Sequence, residues 1–181
     1  MKRLLWLVPV AAVVGAAVWL LLATPNTVEK IRYPLRYKAI VRGHARNYHL
    51  NPALLAAVIE TESKFRADAK SSSGAIGLMQ ILPSTAHGIA VHTGGSSFRT
   101  EDLYNPEINV RYGAWYLRHL LDKYDDDERT ALAAYNAGQD NVDRWLARGS
   151  GIRYAETRAY VDRVEKLKGI YNDVWGHQLA L

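Results

Sequence analysis

The chain has 181 residues, no cysteine, and 23 basic against 18 acidic residues, a formal charge of +5. That length suits one domain with a core of its own plus a short appendage. Without cysteine there is no disulfide, no thiolate metal site, no lipid-modified cysteine and no thiol nucleophile. With Lys2 and Arg3 set aside, 21 basic residues face 18 acidic ones, too mild an excess to argue for nucleic acid.

Leu4 to Ala23 is a run of 20 uncharged residues behind Lys2 and Arg3. At about 1.5 Å per residue it matches a bilayer core of about 30 Å, and it is longer than the apolar region of a signal peptide. Leu21-Leu22-Ala23-Thr24-Pro25 places leucine where a cleavage site needs a small residue. Residues 1–23 are therefore expected to be an uncleaved transmembrane signal anchor. Lys30, Arg32, Arg36 and Lys38 come after the span and blur the positive-inside signal, so charge alone does not orient it. Residues 24–34, with Pro25 and Pro34, read as a short linker. Its ten residues from Thr24 to Tyr33 reach at most about 33 Å, which keeps the remainder of the chain near the membrane.

Residues 35–181 read as helices joined by loops. Leu35 to Tyr48 carries weakly amphipathic apolar positions at Leu35, Ala39, Ile40 and Ala45. Asn51 then caps a helix whose first turn takes Pro52, and Ala53 to Ile59 is uniformly apolar, so this helix passes through the core. It ends on Glu60 and Glu62. Residues two apart point in different directions, so at most one of these carboxylates follows the buried side into a cleft. Burial and the negative helix end would both raise the pKa of that carboxyl above about 4.3, making it a general acid near neutral pH.

Lys64 to Ser73 is a polar loop, Gly77 to Leu82 a short apolar segment, and Pro83 opens a helical turn through His87 and Ile89. Thr93-Gly94-Gly95-Ser96-Ser97 reads as a flexible excursion. Asn105-Pro106 repeats the earlier cap and starts a long helix through Ile108, Tyr112, Trp115, Tyr116 and Leu120. Asp125-Asp126-Asp127 closes it and opens a helix from Glu128 to Ala137, ended by Gly138. Further helices are expected over about Asn141 to Ala147 and Glu156 to Trp175. No stretch keeps a period of two, so the predicted fold class is all-α.

Several chemistries are excluded by pattern. There is no Gly-x-Ser-x-Gly, Ser-x-x-Lys or His-Glu-x-x-His, and His44/His49 and His87/His92 are spaced off one helical face. Asp125 to Asp127 lacks the glycine and distal glutamate of a calcium loop. Gly74-Ala75-Ile76-Gly77 would need strands around it to bind single-stranded RNA. No cofactor, metal or nucleic-acid partner is expected. Gly77 permits close approach of a ligand or another backbone, Met79 offers an adaptable apolar surface, and Gln80 carries both donor and acceptor. These suit an N-acetylated sugar, although a buried Met79 fits the same residues. Tyr135 and Asn136 precede Gly138, where a helix end can turn side chains toward a cleft, and a tyrosine ring offers a face to a pyranose.

Glu62-Ser63, Gly77-Leu78-Met79-Gln80 and Ala134-Tyr135-Asn136-Ala137-Gly138 resemble the motifs of the lytic transglycosylases related to the catalytic domain of the soluble enzymes. Glu156-Thr157-Arg158-Ala159-Tyr160-Val161 looks like the last motif of that family. The likeness covers about residues 35–175, departing at Leu82, where many relatives carry methionine. It implies a lysozyme-like domain over 35–181, with Glu62 and not Glu60 as the catalytic acid. It further implies substrate-binding roles for Ser71, Gly77, Met79, Gln80, Tyr135, Asn136 and Tyr160. The implied reaction cleaves the bond between MurNAc and GlcNAc in peptidoglycan and forms 1,6-anhydro-MurNAc, outside the cytoplasmic membrane. A goose-type-like lysozyme hydrolase and a non-catalytic peptidoglycan-binding protein are the alternatives, and protein partners are unknown.

Overall fold

A computed structural model describes residues 7–23, 26–93, 95 and 97–181. They divide into two compact units, one ending at Pro34 and one running from Leu35 to Leu181. The first unit holds α1 (Leu7–Ala23) and α2 (Thr27–Arg32). The described part of helix α1 has 17 residues, about 25 Å at 1.5 Å per residue. Among the described residues no helix is long and apolar enough to cross a membrane. The start of the expected span, residues 4–6, lies outside the described residues. The expected linker is itself partly helical, since Asn26 in a left-handed conformation leads into α2.

The second unit is all-α, with α3 (Lys38–Asn47), α4 (Pro52–Ser63), α5 (Pro83–Thr93), a 3-10 turn (Thr100–Tyr104), α6 (Pro106–Lys123), α7 (Glu128–Ala137), α8 (Gln139–Ala147) and α9 (Ala155–Leu179). Among the described residues the only β pairing is a pair of isolated bridges, Lys70 with Ile76 and Ile76 with Ile81. Helix α3 starts later than its apolar pattern suggested because Tyr37 takes φ of 51° just before it. Helix α5 is a full 11 residues rather than one turn. Residues 94 and 96 of the expected excursion lie outside the described residues.

Both Asn-Pro starts act as caps. Asn51 Oδ1 accepts from the N–H groups of Ala53 at 2.8 Å and Leu54 at 3.3 Å, and Asn105 Oδ1 accepts from Glu107 at 2.9 Å. These are the donors a helix start leaves without partners. Asp127 caps α7 through Thr130, and α7 stops at Gly138, whose φ is 85°. From Ala53 to Glu60 every residue of α4 is buried. The helix lies against α9 and α3, so its apolar sides all find partners, as the uniform sequence demanded. At its end Lys64 and Phe65 both take positive φ. That turn drops Phe65 into the core against Tyr171, with 6.2 Å between ring centroids. The exit of α4 is thereby fixed, and with it the placement of Glu62 in the last turn.

Candidate active site

Two carboxylates of α4 separate by helical geometry. Glu60 is 5% exposed and faces the charges of Arg163, Lys64 and Arg36; burial raises its pKa and those cations lower it. Glu62 turns the other way. Tyr160, from α9, donates its hydroxyl to Glu62 Oε1 at 2.7 Å. Burial pushes the Glu62 carboxyl up to about 7, against the pull of that hydrogen bond toward the ionised form. The Tyr160 hydroxyl is held well above its usual value by burial and then by the neighbouring Glu62 charge. It therefore stays a donor at physiological pH, which leaves Glu62 Oε2 to carry the transferable proton.

The segment after the α4 exit is tied down from three sides. Ser63 donates its hydroxyl to the Leu78 carbonyl at 2.8 Å. Asn109, fully buried on α6, receives the Met79 N–H on Oδ1 and donates from Nδ2 to the carbonyls of Ile76 and Leu103, each at 2.8 Å. Tyr135 donates to the Met79 carbonyl, also at 2.8 Å. Gly77 takes φ of 81°, and a Cβ there would stand 2.7 Å from Asn109 Cγ. Asn109 and the Leu103 carbonyl occupy the space a Cβ would need.

Met79 corrects the expectation that placed it on a binding surface. Its side chain is 0% exposed and packs on Gly113 of α6, where a Cβ would come within 2.8 Å of Met79 Cβ and Cε. What this residue gives the site is its backbone carbonyl. Ser71 likewise stays in its own turn, where its oxygen accepts from the Ala75 N–H at 3.0 Å. Gln80 holds the loop through Nε2, which donates to the carbonyls of Gly77 at 2.9 Å and Ala69 at 3.3 Å.

A cavity of about 240 Å³ opens beside this loop, walled by Gln80, Ile81, Leu82, Thr85, Tyr116, Tyr135 and the Asn136 to Gly138 helix end. Of the expected site residues, Gln80, Tyr135 and Asn136 meet here. Glu62 does not line this cavity but is a charged neighbour of Tyr135, whose hydroxyl is pushed well above its usual range by burial and then by the Glu62 charge. Tyr116 packs on Tyr135 with centroids 5.5 Å apart. Asn136 is oriented by Thr157, a buried residue of the first turn of α9 that donates its hydroxyl to Asn136 Oδ1 at 2.8 Å.

The reading of the sequence missed Asn109, Thr157, Tyr116 and Gly113. A polar residue and a glycine within the apolar stripe of α6 were the available signals for two of them. Among the described residues, no group of three or more metal-binding side chains forms.

Known proteins resemble the chain in sequence and in fold. The chain is 29% identical over 97% of its length to the soluble lytic murein transglycosylase of Salmonella typhimurium, and covers 28% of that protein. It is 34% identical over 74% of its length to a putative soluble lytic murein transglycosylase of Haemophilus influenzae, covering 24% of it. Among solved structures, the lytic transglycosylase Slt of Pseudomonas aeruginosa superposes on 81% of the chain with a TM-score of 0.76 and 32% identity, the chain covering 25% of it. The 70 kDa soluble lytic transglycosylase of Escherichia coli gives a TM-score of 0.77 at 28% identity over 83% of the chain and 26% of its own. The chain thus spans about a quarter of the length of these relatives. With the transglycosylase SLT domain profile matching residues 39–156, the chain belongs to the transglycosylase SLT domain family, and its all-α second unit has that family's lysozyme-like fold.

Proposed function

We propose that this protein is a peptidoglycan lytic transglycosylase in which Glu62 serves as acid and then base. The observation that carries the reading is the half-buried Glu62 carboxyl, pushed by desolvation up to about 7, held by Tyr160 and neighbouring Tyr135, which lines a cavity of about 240 Å³. At neutral pH such a group is present in both protonation states, so it can give a proton and take one back. Glu62 protonates the glycosidic oxygen as the bond from muramyl C1 breaks. The C6 hydroxyl of the same sugar then attacks C1 and surrenders its proton to Glu62. One C–O bond forms as another breaks, no water is consumed, and Glu62 is regenerated.

A hydrolase with two carboxylates would need a partner about 5 to 9.5 Å away. Glu60, the other carboxylate of α4, is committed to the opposite side, facing Arg163, Lys64 and Arg36. An internal nucleophile removes that need, because holding the C6 hydroxyl near C1 replaces a bimolecular attack. Gln80, Tyr135 and Asn136 contact the glycan in this reading; Gly77, Met79 and Ser71 act through the loop.

The N-terminal segment, in the same proposal, tethers the enzyme to the outer side of the cytoplasmic membrane. Residues 11–19 of α1 are exposed throughout, with Val13 and Trp19 each 69% exposed. An apolar helix presenting such a surface calls for an apolar medium. The test is mass spectrometry of muropeptides released by the parent chain and by Glu62→Gln. Products ending in 1,6-anhydro-MurNAc from the parent alone are expected. Reducing ends would make water the nucleophile, and no release from either protein would leave a binding role.

A further inference from the structure

The mild net charge of the chain conceals an uneven distribution. Between Glu29 and Glu60 there are six lysines and arginines and no acidic residue. Three of them, Lys38, Arg42 and Arg46, sit four residues apart on α3 and share one flank of that helix. Lys38 and Arg46 are exposed and Arg42 half-buried, beside Val41 and Ala45, which face the core. Arg36, exposed just ahead of the helix, continues the flank toward Lys64 and Arg163 around the buried Glu60. Two carboxylates come near: Glu60 is turned inward, and Glu107 of α6 is bonded at 2.8 Å to His44, two residues along α3 from Arg42.

Several cations elsewhere are neutralised. Arg118 pairs with Asp122 and Asp126, Lys123 with Asp143 at 2.6 Å, Arg129 with Asp162 and Glu165, and Lys168 with Glu128 at 2.6 Å. All of these join α6, α7, α8, α9 or the turn after α6. Among the described residues no ion pair holds Lys38, Arg42 or Arg46, and the Arg42 Nε is buried without a hydrogen-bond partner. Three guanidinium or ammonium groups in a row, without carboxylates between them, match a dense array of phosphates rather than a single anion.

We propose that the α3 flank formed by Arg36, Lys38, Arg42 and Arg46 is a docking surface for the phosphate headgroups of an anionic bilayer. The occupant is set by charge and by chain order. The uncharged α1 ends at Ala23, and 14 residues separate it from Lys38, a reach of about 50 Å at most. The flank therefore cannot travel far from whatever surface holds α1. This rests on the membrane reading of the N-terminal helix, but not on the catalytic one. A bilayer contact through α3 would add a second attachment and restrict which way the domain turns. At about fivefold per cation near an anionic surface, the four residues together would change the docked-to-undocked ratio by roughly several hundredfold at low salt. Screening reduces that factor as ionic strength rises.

The absence of cysteine makes a site-specific test direct. Gly43 is exposed on α3 with nothing within 4 Å of a Cβ built there, so Gly43→Cys accepts a fluorophore. Arg148→Cys, exposed just past the end of α8, gives a control beside a helix that packs against α7. The full chain would be mixed with discs of phosphatidylcholine alone or with phosphatidylglycerol, both carrying a headgroup nitroxide quencher. Quenching at Gly43 and not Arg148, in anionic discs only, lost in 0.5 M salt and in the variant R36Q/K38Q/R42Q/R46Q, is the expected result. Retention of the chain on neutral discs reads the anchor separately. Retention with Gly43 quenching that ignores lipid charge, or with none, overturns the docking surface and leaves the anchor standing. Retention on anionic discs alone, with Gly43 quenched, overturns the anchor and supports the surface. Failure to bind either disc overturns both.

Discussion

Replacing Glu62 by glutamine should stabilise the folded protein, and by an amount that depends on pH. The amide keeps the shape of the carboxyl and its oxygen still accepts from Tyr160, but it cannot ionise. In the parent the folded pKa is about 7, raised from an ordinary value of 4.5. Below pH 4.5 both folded and unfolded chains carry the proton, and ionisation of Glu62 makes no difference. Between 4.5 and 7 the unfolded chain releases its proton while the folded chain retains it, so parent stability falls as pH rises. Over two and a half pH units at about 1.4 kcal/mol each, the accumulated loss is about 3 kcal/mol, and it is constant above pH 7. Urea unfolding of parent and Glu62→Gln at pH 4 and pH 8 isolates this quantity. Any pH-independent effect of the amide cancels between the two conditions. The variant should gain about 3 kcal/mol on the parent between pH 4 and pH 8. A difference that is equal at both pH values, or that moves in favour of the parent, would refute a carboxyl held protonated by burial.

Other consequences concern the groups around that carboxyl. Tyr160→Phe removes a hydrogen bond to the charged form, worth about 1.5 to 3 kcal/mol. The descending limb of the pH profile of kcat/KM should therefore move upward by about one to two units, and a limb that stays or falls would separate Tyr160 from the acid. Asn109→Leu strands the Met79 N–H and the carbonyls of Ile76 and Leu103. At about 1 to 3 kcal/mol per buried orphan, chemical denaturation should register a loss of at least about 3 kcal/mol. Thr157→Val frees Asn136 to rotate, so KM for glycan should rise severalfold with little change in kcat, and Thr157→Ser should restore it; equal losses in both variants would reduce Thr157 to a packing residue.

What could be read from sequence was what local chemistry decides. The caps at Asn51 and Asn105 are set by one side chain and two nearby N–H groups, and Gly138 ends α7 through its own φ. The buried course of α4 was legible in an unbroken apolar run. Residues whose partners lie far along the chain were harder. A methionine reads equally as surface or core, and for Met79 the deciding atom is the missing Cβ of Gly113, on another helix. Tyr160 lies 98 residues from Glu62; only the likeness of its motif to a known family pointed to it. Asn109 drew no attention because its work is to satisfy backbone groups of two other segments, which no periodicity encodes.

The division of hydrogen-bonding capacity at the cleft explains why so few side chains suffice. Gln80 spends its amide N–H groups on Gly77 and Ala69, which turns its oxygen into the acceptor on offer. Asn136 spends its oxygen on Thr157, which leaves its N–H groups as donors. Tyr135 and Tyr160 spend their protons on the Met79 carbonyl and on Glu62. Each group is thus fixed by the bond it makes within the protein, and its remaining function is set in direction and sign before substrate arrives. An acetamido group, with one donor and one acceptor, matches the pair left by Gln80 and Asn136. The acid needs no further help from charge. Its pKa comes from burial rather than from a second carboxylate, so the proton it carries does not depend on the ionisation of a partner acid.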